Sequence, residues 1–267
     1  MSAVNRASLR KTAIGLLVFQ LLMMILWGNL TTESFIEQEF FGEVYNMYLG
    51  VEVMIFFGFG YLMTFMSKYG LGAVGFTMMI ACIGIQYGIL VEGFFKNVYH
   101  DSWGYVKVDM FSFMDSLHQI AAILISYGAV IGKVGSLQIV ALTLLEGFFY
   151  ALNKKMLLFD AVLDLLDAGG TISIHMFGAF FGLAAAYMLG KPPADKAPAA
   201  SYVADMFSLI GTVFLWIYWP SFNGGALEPG SQEQQRAIAN TILGMCASTV
   251  GTFIVSILLH PEGKLRP

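Results

Sequence analysis

Eight apolar stretches recur along this chain of 267 residues. Each is close to the roughly 20 residues a helix needs to cross a hydrocarbon core about 30 Å thick. They lie at about 12–28, 47–66, 72–95, 108–131, 136–157, 170–190, 203–222 and 237–259. Backbone N–H and C=O groups cannot stay unpartnered in hydrocarbon, so runs of this length close their bonds within themselves as helices. The expected fold is an all-α, polytopic transmembrane bundle of about eight spans. Composition agrees: 57% of residues are hydrophobic and 12% charged, against about 25% charged in soluble domains. A net charge of −4 gives no nucleic-acid footprint. Cys82 and Cys246 both lie in apolar runs; two thiols make neither a disulfide framework nor, without nearby histidines, a zinc site. The expected partner is the lipid bilayer, with no cofactor, metal or nucleic acid.

Basic residues set the orientation. With the N-terminus cytoplasmic, the inner set is Arg6, Arg10, Lys11, Lys68, Lys133, Lys191, Lys196, Lys264 and Arg266. The outer set is only Lys96, Lys107, Lys154, Lys155 and Arg236. Glu33, Glu37, Glu39 and Glu43 fall in the first outer loop with no basic partner there. Both termini are therefore expected in the cytoplasm. The first run follows three basic residues, as a signal peptide would, but no small-x-small cleavage site follows Trp27, so it reads as an uncleaved helix. Asn29-Leu30-Thr31 is a glycosylation sequon on the expected outer side. The stretch 191–201 is rich in Pro and Ala and reads as a cytoplasmic linker.

Ionisable residues at membrane depth should face protein or water rather than lipid, and mark relay or pathway positions by default. Glu52, Glu92, Asp115, His118, Glu146, His175 and Asp205 qualify. His175 is the most informative. It lies well inside the sixth run, eight residues after Asp167, and either a pore position or a helix-to-helix hydrogen bond accounts for it. Asp167 precedes Gly169-Gly170, and an aspartate at a helix start accepts open backbone N–H groups. Asp205 reads as a cap of the seventh helix. Glu92 is spaced to pair with Lys96, and Asp115 with His118. Glu52 and Glu146 are expected in neutral, hydrogen-bonded packing. Gly178 and Gly182, four apart, make a small-xxx-small face for close helix approach.

Asp167 to Leu183, and Asp205-Met-Phe-Ser-Leu-Ile-Gly-Thr-Val-Phe-Leu-Trp-Ile-Tyr-Trp-Pro-Ser-Phe-Asn223, closely resemble segments of the Rh branch of the ammonium transporter family. Tyr127-Gly-Ala-Val-Ile-Gly-Lys-Val134 and His260-Pro-Glu-Gly-Lys264 are similar to Rh segments as well. The resemblance implies an extra first helix followed by two five-helix repeats of opposite topology. On that scheme residues 1–46 hold the N-terminus, extra helix and outer loop. Residues 47–190 form the first repeat, 191–202 a linker, and 203–267 an incomplete second repeat. About four further helices are expected after Pro267, so the chain reads as a fragment.

The resemblance also implies recruitment of ammonium at an outer vestibule and passage of neutral ammonia through an apolar, histidine-lined pore. The physics supports this order. An isolated ion costs tens of kcal/mol to bury on an idealised estimate. Deprotonating an amine of pKa about 10.4 at neutral pH costs only roughly 4–5 kcal/mol. Position by position, His175 matches the first pore histidine and Asp167 the aspartate near the recruitment site. Phe222 matches one of two stacked aromatics at the outer gate. The other gate position falls on His118, a departure that makes the mouth more polar. The second pore histidine belongs to a later helix with no counterpart here. The implied partners are ammonium or ammonia (carbon dioxide too, for some Rh proteins) and other subunits, as a homotrimer or an Rh-type hetero-oligomer. The plasma membrane is the implied location. The alternative is a non-transporting Rh-type subunit or an inactive truncated form; retention of His175 favours transport. Nothing resembles an enzyme's nucleophile and base, and eight spans argue against a seven-helix receptor.

Overall fold

The computed structural model describes residues 3–101, 103–158, 163, 165–191 and 201–259. Most of the 191–201 linker, Lys196, Lys264, Arg266 and the 260–264 stretch with His260 lie outside them, as does the side chain of Arg6. Among the described residues, eight helices are long and apolar enough to cross a membrane. They are α1 (Ala3–Leu30), then α2 (Gln38–Phe65), α3 (Gly70–Tyr99), α4 (Met110–Val130), α5 (Ser136–Leu158), α6 (Thr171–Leu189), α7 (Tyr202–Gly224) and α8 (Gln232–Leu259). The protein is an integral, multi-pass, all-α membrane protein.

The expected spans are all present. The largest difference is α2, which begins at Gln38 rather than near 47. Its first turns carry Glu39 and Glu43, so a hydropathy window misses helix that lies ahead of the apolar part. Two short strands also escape such a reading. β1 (Thr31–Glu33) and β2 (Val106–Val108) pair in parallel, Thr31 opposite Val106, and tie together the loops after α1 and α3. Three residues are too few to show a two-residue period.

The core is organised around α4. Buried residues make up 72% of its most apolar window, and Leu117, Ile120, Ile123 and Leu124 are wholly buried. Helices α3, α5 and α6 pack against it. Helices α4 and α6 approach each other closely in backbone terms. A Cβ added at Gly178 would lie 2.6 Å from the Ala122 carbonyl oxygen, and one at Gly182 would lie 2.8 Å from Ser126 Cα. The small-xxx-small face thus meets α4. On the other side α7 packs along α2, where Ser208 Oγ donates to Leu62 O at 3.1 Å. Helix α1 lies outside, its Phe19 and Met23 packed with Ile83 and Leu90 of α3 and Val140 of α5. Helix α8 leans chiefly on α7; its most apolar window contributes no buried residue.

The N-terminus of α7 departs from expectation. Ser201 is the cap, its hydroxyl accepting from Ala204 N at 3.2 Å, and Asp205 lies in the first turn. Serine's short side chain reaches back to the third amide from a non-helical backbone, which a residue already inside the helix cannot do.

Candidate functional site

The site is built where α6 begins. Gly170 takes φ +66°, a left-handed conformation that costs glycine little because it has no Cβ. The turn swings Asp167 over the open end of the helix. Its carboxylate accepts Ile172 N at 3.1 and 3.2 Å and Ser173 N at 2.7 Å. These are amides the helix cannot satisfy itself, so the expected role of Asp167 as an N–H acceptor is observed. The first turn, Thr171–Met176, is a wide π turn. The amides of Ile174 and His175 share the Gly170 carbonyl, each at 2.9 Å. Such wide turns recur at functional positions.

This wide turn presents His175 to α7. Its ring stacks on Trp219, with centroids 5.7 Å apart and planes at 17°. Phe222, also on α7, lies 5.8 Å from the same ring at 44°. Phe222 also receives His118 of α4 edge-on, centroids 4.5 Å apart. His118 Nε2 lies 3.1 Å from the Phe222 carbonyl oxygen. A carbonyl only accepts, so His118 carries its proton on Nε2 and donates. Three helices thus contribute one cluster of rings: Trp219 and Phe222 are also 5.8 Å apart, so Phe222, His175 and Trp219 form a triangle, with His118 set edge-on against Phe222. The sequence reading named three of the four. Trp219 was missed, because a tryptophan near a helix end reads as interfacial anchoring. Pro220 beside it leaves α7 continuous.

His175 Nε2 is buried and has no hydrogen-bond partner among the described residues. One face of the ring stacks on Trp219, and Nε2 is a buried polar atom left without a partner among the described residues.

The His118 contact makes a direct test possible. Replacing His118 with Phe preserves an aromatic ring but removes the donor to the Phe222 carbonyl. Leaving a buried acceptor unpaired costs about 1–3 kcal/mol. The purified H118F variant should therefore melt several degrees below the parent; an unchanged melting temperature would show that this bond contributes nothing.

The other ionisable residues distribute as follows. Glu92 does not use Lys96 in the way the spacing suggested. It faces Lys154 of α5, whose Nζ lies 3.4 Å from Glu92 Oε2 and 3.0 Å from Asp115 Oδ1. Asp115 likewise bonds Lys154, while His118 turns to Phe222. In both cases an ion pair across helices replaces the local spacing, because the largely buried Lys154 ammonium is costly to leave unpaired. Glu52 accepts from Tyr48 OH at 3.1 Å. Ser126 Oγ lies 2.5 Å from Glu146 Oε1 and 2.8 Å from the Gly178 carbonyl, which ties α5 to the α4–α6 contact. Each glutamate is hydrogen-bonded through one oxygen, and Glu146 Oε2 is buried without a partner among the described residues. Asn29 ends α1, its Nδ2 donating to Ile25 O at 2.7 Å, and Thr31 Oγ1 donates to Trp27 O at 2.8 Å.

The sequence profile of the Ammonium Transporter Family matches residues 13–266. The chain belongs to that family. It is 40% identical over 242 residues to the ammonium transporter Rh type B of Bos taurus, covering 90% of this chain and 51% of that protein. Rh type B of Danio rerio is 41% identical over 224 residues, 83% of this chain and 48% of that one. Rh type C of Canis lupus familiaris is 37% identical over 235 residues, 87% and 50% of the two chains. The chain spans about half the length of these curated relatives. Among solved structures it resembles Nitrosomonas europaea Rh50, of the Rhesus protein family of channels. The TM-score is 0.76 at 30% identity, over 86% of this chain and 60% of that one.

Proposed function

We propose that this chain takes part in moving ammonium or ammonia across a membrane, with His175, Phe222, His118 and Asp167 on the path. One observation carries the reading: a buried imidazole edge, His175 Nε2, with no hydrogen-bond partner among the described residues. A buried polar atom of this kind calls for an explanation, and a small amine that both donates and accepts provides one. Neutral ammonia fits a cluster of rings far better than its cation, whose desolvation the rings do not repay. Asp167 is spent on the helix amides, so its charge acts on the path entrance without direct contact. Passage along His175 requires Trp219 to give way at one ring face. The same reading places both termini in the cytoplasm, the plasma membrane as location, residues 47–190 as one repeat, and further subunits as partners.

The test is methylammonium uptake in cells lacking their own transporters, using the longest open reading frame that contains these residues. Loss of one neutral hydrogen bond on the path costs about 0.5–1.5 kcal/mol, so His175→Ala is expected to change uptake by roughly two- to tenfold. Uptake equal to the parent's at matched surface abundance would remove His175 from the path.

A further inference from the structure

Ser126 Oγ touches two oxygens but carries one hydrogen. It lies 2.8 Å from the Gly178 carbonyl oxygen on α6 and 2.5 Å from Glu146 Oε1 on α5. Both are hydrogen-bond distances for a pair of oxygens. A carbonyl oxygen only accepts, and so does an ionised carboxylate. Whichever of the two takes the serine hydrogen, the other contact has none unless Glu146 supplies it. A protonated Glu146 donates to Ser126, Ser126 donates to Gly178, and both contacts are satisfied.

The surroundings favour the same assignment. Glu146 and Ser126 are wholly buried, and Glu146 lies midway along α5. No ion pair reaches Glu146 among the described residues; Lys154, eight residues further along α5, is held by Glu92 and Asp115. Glu146 Oε2 is buried without a partner among the described residues. A carboxylate with no cation and a single hydrogen bond costs far more to bury than a neutral acid with one unpartnered carbonyl oxygen.

We propose that Glu146 is a positioning residue: a protonated carboxyl that donates to Ser126 and, through Ser126, sets the height of α6 against α4. Gly178 lies three residues beyond His175 on α6, and Ser126 eight residues beyond His118 on α4. Where the two helices meet, Gly178 and Gly182 let backbone touch backbone. Glycines allow that approach but offer no side chain to lock the register, so a hydrogen bond across the helices does so. Ser126 alone can point its hydrogen elsewhere; the Glu146 proton occupies its lone pair and leaves the Gly178 carbonyl as the place for that hydrogen. A second α5–α6 contact lies one turn on, where Tyr150 packs edge-on against Phe177, centroids 5.9 Å apart. The consequence for His175 rests on the transport reading; the proton and the hydrogen-bond chain do not.

Difference infrared spectra of the purified parent and Glu146→Gln at neutral pH test the proton. The C=O stretch of a protonated carboxyl lies clear of the amide and carboxylate bands. The parent is expected to show such a band that E146Q lacks, at the high-frequency edge of its range because Oε2 accepts no bond. Spectra without that difference overturn the proposal. Glutamine keeps the length and a donor to Ser126, so E146Q is expected to melt within about 2 °C of the parent. At matched surface abundance it is expected to keep the parent's methylammonium uptake. An E146Q that melts far below the parent or does not fold overturns the proposal, as does one that folds and loses uptake. Ser126→Ala removes the middle link without adding volume and is expected to melt about 5 °C lower; an unchanged melting temperature overturns the tie. The spectra and melting temperatures need no conduction. A parent that shows the band and takes up no methylammonium would therefore refute the transport reading while leaving the protonated tie in place.

Discussion

Replacing Gly178 with valine is expected to destabilise the protein by about 3 kcal/mol or more, at the upper end of the cost of overpacking. The position is crowded by backbone rather than by movable side chains. A Cβ there would lie 2.6 Å from the Ala122 carbonyl oxygen and 3.2 Å from Ala122 Cα, with Ile125 Cβ also at 3.2 Å. Rotamer changes cannot relieve a clash with main chain, so α6 must move off α4. That movement opens the face shared with Gly182. It also stretches the 2.8 Å contact between Ser126 Oγ and the Gly178 carbonyl, and with it the link to Glu146 on α5. Lipid tails supply no hydrophobic drive between helices, so close packing and interhelical hydrogen bonds carry much of this association. Gly72→Ala on α3 is the control, because nothing lies within 4 Å of a Cβ added there. It should be neutral or raise stability by up to about 1 kcal/mol. Thermal unfolding of the two variants in the same detergent checks the contrast. Equal melting temperatures would mean that the α4–α6 approach does not hold the bundle together.

Much of this fold is legible in the sequence because the bilayer makes the signal strong. A run of some twenty apolar residues has essentially one solution, so the number of spans and their centres follow from hydropathy alone. The close face at Gly178 and Gly182 is legible for a related reason: two small residues one turn apart have few other uses. What stays hidden depends on partners distant in sequence. Lys154 pairs with residues 62 and 39 positions before it, and local spacing offered Glu92 and Asp115 nearer candidates in Lys96 and His118. On a surface helix those local pairs compete well; here the largely buried Lys154 ammonium needs carboxylate partners, and they come from other helices. Trp219 was illegible because its value lies in the ring it stacks on, which comes from another helix. Of the three rings named from sequence, only Phe222 depended wholly on resemblance. Bottom-up reading isolated His175 and His118 as ionisable groups at depth and Asp167 as a helix-start acceptor, but left Phe222 indistinguishable from ordinary apolar packing.

Asp167→Asn is expected to lower methylammonium uptake by at least tenfold, the largest functional loss of any single change here. The aspartate does two things at once. One oxygen, Oδ2, accepts both Ser173 N at 2.7 Å and Ile172 N at 3.1 Å, while Oδ1 also approaches Ile172 N at 3.2 Å. Asparagine keeps the shape, and its single oxygen can take the place of Oδ2. Its amide nitrogen then stands where Oδ1 was, a donor facing the Ile172 donor. The charge that opposed the positive end of the helix is gone too. Hydrogen bonds to an ionised acceptor contribute about 1.5–3 kcal/mol each, and losing even one corresponds to roughly ten- to a hundredfold in an equilibrium or rate. The effect reaches His175 because the Ile172 and Ser173 amides belong to the same wide turn, which orients the imidazole against Trp219. Asp167→Ala removes both bonds and should cost about 3 kcal/mol of stability or more, with faster exchange of the Ile172 and Ser173 amides. The two variants therefore separate charge from anchoring. If Asp167→Asn transports normally while Asp167→Ala unfolds the turn, the carboxylate serves only to hold the helix start, and its field has no part in bringing substrate to the ring cluster.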